Sequence, residues 1–255
     1  MLVSIETAVE KIQAAESITF LTGAGVSTPS GIPDYRSLKG IYHGIEAPEY
    51  LLSHTCMVRE PDKFYQFVKH LYHPEAKPNV IHQTMAEFAQ ERNVWVVSQN
   101  IDGLHQQAGS QQRIDFHGTL YRCYCRQCGA EVPWQTYLTD WHHADCGGQI
   151  RPAIVLYEEG FSEETITAAI NAVANAQLVV VVGTSLQVYP FAGLLQYQNS
   201  QNCLIINQTM LEQNTTPQVL ASGETVFCKT LTLKLKRSME AHYDRTYRKR
   251  KNDCW

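Results

Sequence analysis

The sequence predicts an α/β protein: a Rossmann-like parallel sheet with helices on both faces, plus a smaller discontinuous domain. Three observations predict it. Short apolar runs of strand length alternate with helical patterns, as in a parallel sheet covered on both sides. One of these runs, 18–22, leads straight into Gly23-Ala24-Gly25, a strand followed by a glycine turn. Two stretches break the alternation: 38–77 carries aromatics and prolines, and 121–150 carries four cysteines and three glycines.

The elements follow in order. Ile5, Ala8, Val9, Ile12 and Ala15 recur at helical spacing, with Ser4 placed to cap the first turn. Residues 18–22 read as a buried strand, and the glycine turn after it reads as the start of a helix. A helix over 82–90 precedes a strand over 93–98. A short strand at 114–116 ends at His117, and 154–156 reads as another strand. Residues 162–176 read as a helix capped by Ser162. Glu163 and Glu164 lie in its first turn, where negative charge is favourable. The strand 178–182 runs into Gly183-Thr184-Ser185. Pro190 suits the first position of the next helix, and 203–207 closes the series as a strand. The expected division is one domain from 1–37, 78–120 and 151–237, a small helical and zinc-binding domain from 38–77 and 121–150, and a basic tail over 238–255.

Composition narrows the function. The chain has 255 residues, 44% hydrophobic and 18% charged, which suits a globular protein with a large core. The formal net charge is −4, which argues against a nucleic-acid partner. Eight Lys/Arg stand against three Asp/Glu from residue 234 onward, a run read as a solvated helix and tail. No apolar run approaches the ~18 residues of a membrane span, so no membrane partner is expected. The first residues show no basic and apolar leader pattern. Eight cysteines without such a leader point to metal or thiol roles in a reducing cytoplasm rather than disulfides.

A Gly-x-Gly turn after a strand suits a dinucleotide, because backbone N–H groups can approach a pyrophosphate there. The signal is weak alone, since Thr28 occupies the third glycine position and no strand with an acidic residue follows at the dehydrogenase spacing. The continuation is more specific. The run from Gly23 reaches Gly-Ile-Pro-Asp34-Tyr35-Arg36-Ser. Later come Gln99-Asn100-Ile101-Asp102-Gly, then Phe-His117-Gly, then Gly183-Thr184-Ser185-Leu. These ordered blocks resemble the sirtuin family, NAD-dependent protein deacylases, over residues ~1–235.

The resemblance implies a fold, a cofactor and roles. The larger domain becomes an NAD-binding, Rossmann-like domain. The reaction becomes removal of an acyl group from lysine, acetyl or longer, releasing nicotinamide and acyl-ADP-ribose. His117 is the expected catalytic base, since imidazole titrates near neutrality. Asn100 and Asp102 are expected around the nicotinamide and its ribose. Gly23, Ala24, Gly25 and Ser27 would line the phosphates. Asp34, Tyr35 and Arg36 would lie on a cofactor loop, with Tyr35 where the family usually has Phe. Gln99, Ile101, Gly183, Thr184, Ser185 and Asn207 complete the expected cofactor set. A protein mono-ADP-ribosyltransferase using the same pocket is the alternative activity. A non-enzymatic zinc-ribbon module is a third reading, disfavoured by the joint presence of Asn100, Asp102 and His117.

Acylated-lysine proteins or peptides are the implied partners. The segment Arg151-Pro-Ala-Ile154-Val155-Leu-Tyr157-Glu158-Glu159 resembles the family's substrate strand, with Ala153 where Asp is common, Tyr157 for Phe and Glu158 for Gly. Ile154, Val155, Tyr157 and Glu158 are the expected substrate contacts, made largely through the main chain. Glu158 at the rim would favour basic residues beside the target lysine. Members that remove acidic acyl groups carry a Tyr-x-x-Arg pair. No tyrosine in 38–77 has Arg three positions later, so neutral acyl groups are expected. Phe64, Phe67 and Leu71 fit either a core helix face or an apolar channel.

Cys125-x-x-Cys128 is half of a zinc signal. Where the family has a second Cys pair, this chain reads His143-Ala-Asp-Cys146-Gly-Gly. One structural zinc held by Cys125, Cys128, His143 and Cys146 is expected, because thiolate and neutral imidazole both suit tetrahedral zinc. His142 and Cys123 remain alternatives for the fourth position.

Overall fold

The computed structural model describes residues 1–34, 48–199, 202–212, 216–230 and 232. A parallel six-stranded sheet forms its centre, in the order β3-β2-β1-β7-β8-β9. The strands are β1 (Ser17–Thr22), β2 (Asn93–Ser98), β3 (Arg113–Asp115), β7 (Leu178–Val182), β8 (Cys203–Asn207) and β9 (Gln218–Leu220). A second sheet, antiparallel and three-stranded, runs β5-β4-β6 from β4 (Gly118–Cys125), β5 (Glu131–Val132) and β6 (Ile150–Ile154).

Side-chain alternation explains why both faces of the large sheet are covered. All five residues of β7 are buried. Leu178, Val180 and Val182 join the core beneath one face, and Val179 and Val181 join the core on the other. Burying one such side chain is worth roughly 1.5–3 kcal/mol. On the first face lie α1 (Ile5–Ala14), through Ala8, Val9 and Ile12, and α5 (Val80–Phe88), through Ile81, Met85 and Phe88. On the second lies α8 (Glu163–Ala174), through Ala169, Ala172 and Val173. The predicted caps are present: Ser4 Oγ accepts from Thr7 N at 3.2 Å, and Ser162 Oγ from Thr165 N at 3.1 Å.

A third core belongs to the small sheet. It is packed by α2 (Pro48–Leu51), α3 (His54–Arg59), α4 (Pro61–Lys69) and α7 (Trp134–Thr139). Phe64 and Phe67 are buried in it beside Tyr65, Val68 and Tyr137. These phenylalanines are therefore core residues. A short helix, α6 (Leu104–Gln107), follows β2.

Three expectations change. Pro190 does not open the next helix but stands before it as its cap, and that helix, Phe191–Tyr197, is 3₁₀. The segment after β1 is not the start of an α-helix. It forms two consecutive 3₁₀ turns, Ala24–Val26 and Thr28–Ser30, with Pro29 withholding a donor inside the second. The strand expected at 154–156 lies earlier, at Ile150–Ile154, and pairs antiparallel with β4 in the small sheet. β5 and β9 are too short to show a period in the sequence. The basic tail, Tyr35 and Arg36 lie outside the described residues.

The ends of β1 and β7 meet with little room between them. Gly25 N donates to Gly183 O at 2.9 Å, and Gly23 N to Val182 O at 3.2 Å. A Cβ on Gly183 would lie 2.7 Å from the Gly25 carbonyl carbon, and its φ is +61°. Both the contact and the left-handed backbone exclude a side chain. Gly183→Ala is expected to lower stability by about 2–4 kcal/mol in urea unfolding. A variant as stable as the parent would contradict this packing.

Candidate active site and metal centre

The sheet reverses its direction of growth between β1 and β7: β2 and β3 extend it one way, β8 and β9 the other. In open parallel sheets a ligand crevice forms at the carboxyl ends of the strands at such a point. A cavity of about 440 Å³ lies there, lined by Ala24 and Ser27 after β1, by 99–102 after β2, by His117 after β3 and by Ser185 after β7. The small unit contributes Leu52, His70, Leu71, His73 and Leu120 to the wall. Residues 154–159 line it as well.

Gln99 joins the strand ends. Its N–H donates to Thr22 O at 3.0 Å. Its Oε1 accepts from Thr184 Oγ1 at 2.7 Å, bridging to β7. Its carbonyl oxygen lies 3.0 Å from His117 Nδ1. A carbonyl can only accept, so Nδ1 carries the proton and Nε2 keeps the lone pair. Burial pushes the pKa of His117 below its ordinary 6.5, against the opposing pull of the Gln99 carbonyl. Burial therefore favours the neutral ring.

Asn100 and Asp102 are linked through Ser27. Ser27 Oγ donates to Asp102 Oδ2 at 2.6 Å and accepts from Asn100 Nδ2 at 2.9 Å. Asn100 Nδ2 also lies 3.1 Å from Gly23 O, and Leu104 N donates to Asp102 Oδ1 at 2.9 Å. Asp102 is 8% exposed. Burial pushes its pKa up, opposed by the bonds from Ser27 and Leu104.

The structure does not bring every expected residue to the cavity wall. Ala24, Ser27, Gln99, Asn100, Ile101, Asp102, His117 and Ser185 line it. Gly23, Gly25, Gly183 and Thr184 lie behind it in the packed strand ends. Asn207, closing β8, donates to Thr184 O at 3.4 Å. Asp34 is the last described residue before the undescribed 35–47. The wall pairs polar groups with apolar ones such as Ile101 and Val188. That mixture fits a ribose carrying an aromatic ring, and so fits NAD.

The 151–159 segment carries a clamp that its motif did not announce. Arg151, 5% exposed, places Nη1 and Nη2 at 2.5 and 3.0 Å from the two carboxylate oxygens of Glu159. Glu159 Oε2 also accepts from Leu156 N at 2.9 Å. Tyr157 exchanges main-chain bonds with the small unit, donating to Leu52 O and accepting from His54 N, each at 3.0 Å. Glu158 has φ +74°, which accounts for glycine in the family pattern. Its exposed carboxylate accepts from Thr55 N at 2.9 Å and Thr55 Oγ1 at 2.6 Å. Those bonds hold its pKa below the usual 4.5.

Beside β4, Cys125, Cys128, His143 and Cys146 place their donor atoms within 4.8 Å of one another. Cys125 Sγ lies 3.5 Å from Cys146 Sγ, and His143 Nδ1 lies 3.2 Å from Cys146 Sγ and 3.5 Å from Cys128 Sγ. Sulfurs around tetrahedral zinc stand roughly 3.8 Å apart, given Zn–S bonds of about 2.3 Å. The set fits one structural zinc with three sulfurs and one nitrogen. His142 points instead to Asp140, at 2.8 Å. Cys123 is buried against the Tyr72 hydroxyl at 3.5 Å.

Fold and site together define an NAD-binding α/β protein with a metal knuckle. The Sir2 family pattern matches residues 23–190, and the chain belongs to that family. It is 60% identical to an NAD-dependent protein deacetylase of Enterococcus faecalis over 229 residues, 89% of this chain and 96% of that one. It superposes, with TM-score 0.81 and 29% identity, on a Sir2 structure holding a deacetylated p53 peptide and 3′-O-acetyl-ADP-ribose, covering 90% of this chain and 98% of that one. A Sir2–p53 peptide–NAD⁺ structure matches at TM-score 0.79 and 27% identity, covering 91% and 99%. No helix among the described residues is long and apolar enough to cross a membrane.

Protein prepared without chelator is expected to carry one zinc per chain by metal analysis. His143→Ala should lower that content and His143→Cys should keep it. Full zinc content in His143→Ala would move the fourth ligand elsewhere.

Proposed function

We propose that this protein removes acetyl groups from lysine side chains of proteins, consuming NAD, with His117 as the base. The neutral imidazole of His117, its Nδ1 held by the Gln99 carbonyl at the cavity wall, carries the reading. NAD supplies an electrophilic ribose carbon once nicotinamide departs. Asn100 and Asp102, tied to each other through Ser27, hold the nicotinamide and its ribose. Gln99 and Ser185 accept and donate to the ribose and phosphates. An extended peptide laid along the 154–158 segment would hold the acyl oxygen against the reacting carbon, where positioning is the main lever. His117 Nε2 then takes the proton of a ribose hydroxyl, which lets the acyl group move to that oxygen. The bond from the acyl carbon to the lysine nitrogen breaks, the amine leaves with a proton, and one water adds to the acyl–ribose adduct, so that acyl-lysine, NAD and water give free lysine, nicotinamide and acyl-ADP-ribose.

Several finer points belong to the same proposal. The small helical and zinc-binding unit serves as a second domain facing the NAD-binding one across the cavity. Leu52, Leu71 and Leu120 on its wall favour neutral acyl groups. None of the described cysteines is paired in a disulfide, which is in keeping with a reducing, cytoplasmic setting.

Mass spectrometry of an acetyl-lysine peptide tests the reaction. Acetyl loss should require NAD and yield acetyl-ADP-ribose. His117→Ala should lower kcat by roughly 10²–10⁴. Labelled ADP-ribose transferred to protein without acetyl loss would favour the transferase reading instead. The acid limb of kcat/KM should lie below pH 6.5. Protonation removes the base as pH falls, and burial delays that protonation. An acid limb above 6.5 would exclude His117 as that base.

Glu158 makes a second prediction. Its pKa is lowered, so it stays charged at the rim. Peptides with Lys or Arg beside the acetyl-lysine should be turned over roughly two- to fivefold faster than acidic ones. Glu158→Gln should remove that preference. Equal turnover by the parent protein would dismiss the role.

A further inference from the structure

The residues that set the shape of the turn after β1 are not all in the motif that spans it. The two 3₁₀ turns, Ala24–Val26 and Thr28–Ser30, follow one another through Ser27. The first is secured from outside by Gly183 O and by the Ser27 bonds to Asn100 and Asp102. The second has internal bonds, Ser30 N to Ser27 O and Gly31 N to Thr28 O, each at 3.0 Å. Internal bonds set the curvature of a turn but not its placement.

Placement comes from Asn79, more than forty positions away in the chain. Asn79 Nδ2 donates to Val26 O and to Ser30 Oγ, each at 2.8 Å. One bond reaches the end of the first turn, at Val26, and the other the end of the second, at Ser30, so a single amide spans both turns. The other end of the same amide is equally committed. Asn79 Oδ1 accepts from Ile81 N at 2.9 Å, capping α5, and Asn79 N donates to His82 Nδ1 at 3.4 Å. An amide has donors and an acceptor at opposite ends, and here the acceptor caps the helix while the donors grip the turn.

The helix that carries Asn79 is itself fixed beneath the site. His82 is fully buried, and its ring centroid lies 4.7 Å from that of His105. His105 Nε2 lies 3.1 Å from Thr22 Oγ1, at the end of β1. The glycine turn is therefore held between the end of its own strand and the start of α5.

We propose that Asn79 is a positioning residue for NAD binding: its carboxamide sets the glycine turn so that Ala24 and Ser27 face the cofactor. This rests on the reading of that turn as part of the NAD site. It makes α5 a support for the cofactor and not for the 154–157 segment at the peptide border, which is held by Leu52, His54 and the Arg151–Glu159 clamp.

Two variants separate this role from a merely structural one. Asn79→Asp keeps an oxygen to cap Ile81 N but puts an acceptor where the turn needs a donor to Val26 O. Asn79→Ala removes both functions. The melting temperature should fall for both variants, since each leaves Val26 O without its donor, and further for Asn79→Ala, which also loses the cap on Ile81 N. The KM for NAD should rise roughly tenfold in Asn79→Asp, since a buried carbonyl loses its donor. The KM for the acetyl-peptide should be unchanged. Asn79→Asp with the parent's KM for NAD would overturn the proposal, and so would a parallel rise in both KM values. A parent protein that binds no NAD in calorimetry would instead overturn the cofactor site, and this proposal with it.

Discussion

Gln99 is the residue on which the site depends. It leaves β2 with its backbone N–H on β1, its side chain on Thr184 after β7 and its carbonyl on the His117 ring. One residue thus ties three strand ends and selects the tautomer of the histidine. The arrangement needs the parallel register that brings Thr22, Ser98 and Val182 level across β2-β1-β7. It also needs the Gly25 and Gly183 backbones to touch, which no side chain would permit. The site is therefore built from strand ends and their hydrogen bonds before any ligand arrives.

Around that frame the two units divide the work. The large sheet presents polar atoms: the Ser27–Asn100–Asp102 chain, Ser185 and His117. The small unit contributes leucines and histidines, and the 154–159 segment runs along the border, bonded to Leu52 and His54 on one side and closed on itself by Arg151–Glu159. A buried Arg–carboxylate pair of this kind is weak evidence of net stability. Its effect here is geometric, fixing the bend after β6. A zinc ion held by the Cys3His set would act in the same way where β4 ends and β6 begins, joining Cys125 and Cys128 to His143 and Cys146.

Much of this was legible in the sequence, for identifiable reasons. β7 is a run of one leucine and four valines, so its strand state and full burial follow from composition. Ser4 and Ser162 cap as their spacing predicts. His143 was readable as a zinc ligand because its position, three before Cys146 and ahead of Gly-Gly, keeps the spacing of a cysteine pair. What was illegible depends on contacts between distant residues. The glycine turn looked like the start of a helix, because a strand and a Gly-x-Gly usually precede one. Pro29 and the docking of the turn on Gly183 decide for 3₁₀ instead. Glycine was expected to make room for a pyrophosphate, whereas at Gly25 and Gly183 it makes room for the neighbouring backbone. Glu158 was read as a free rim charge, and only the fold shows Thr55 beneath it. The period of α5 marks a helix, but not that its cap reaches the turn after β1.

On this reading the strand-end backbone holds His117 as a neutral base before NAD binds. Nitrogen-15 NMR of the histidine side chains tests it most directly, with His117 assigned by its absence from His117→Ala. In the protein without NAD at pH 7, His117 should be neutral, protonated at Nδ1 and unprotonated at Nε2. A ring protonated at Nε2 alone, or a doubly protonated ring at that pH, would contradict it.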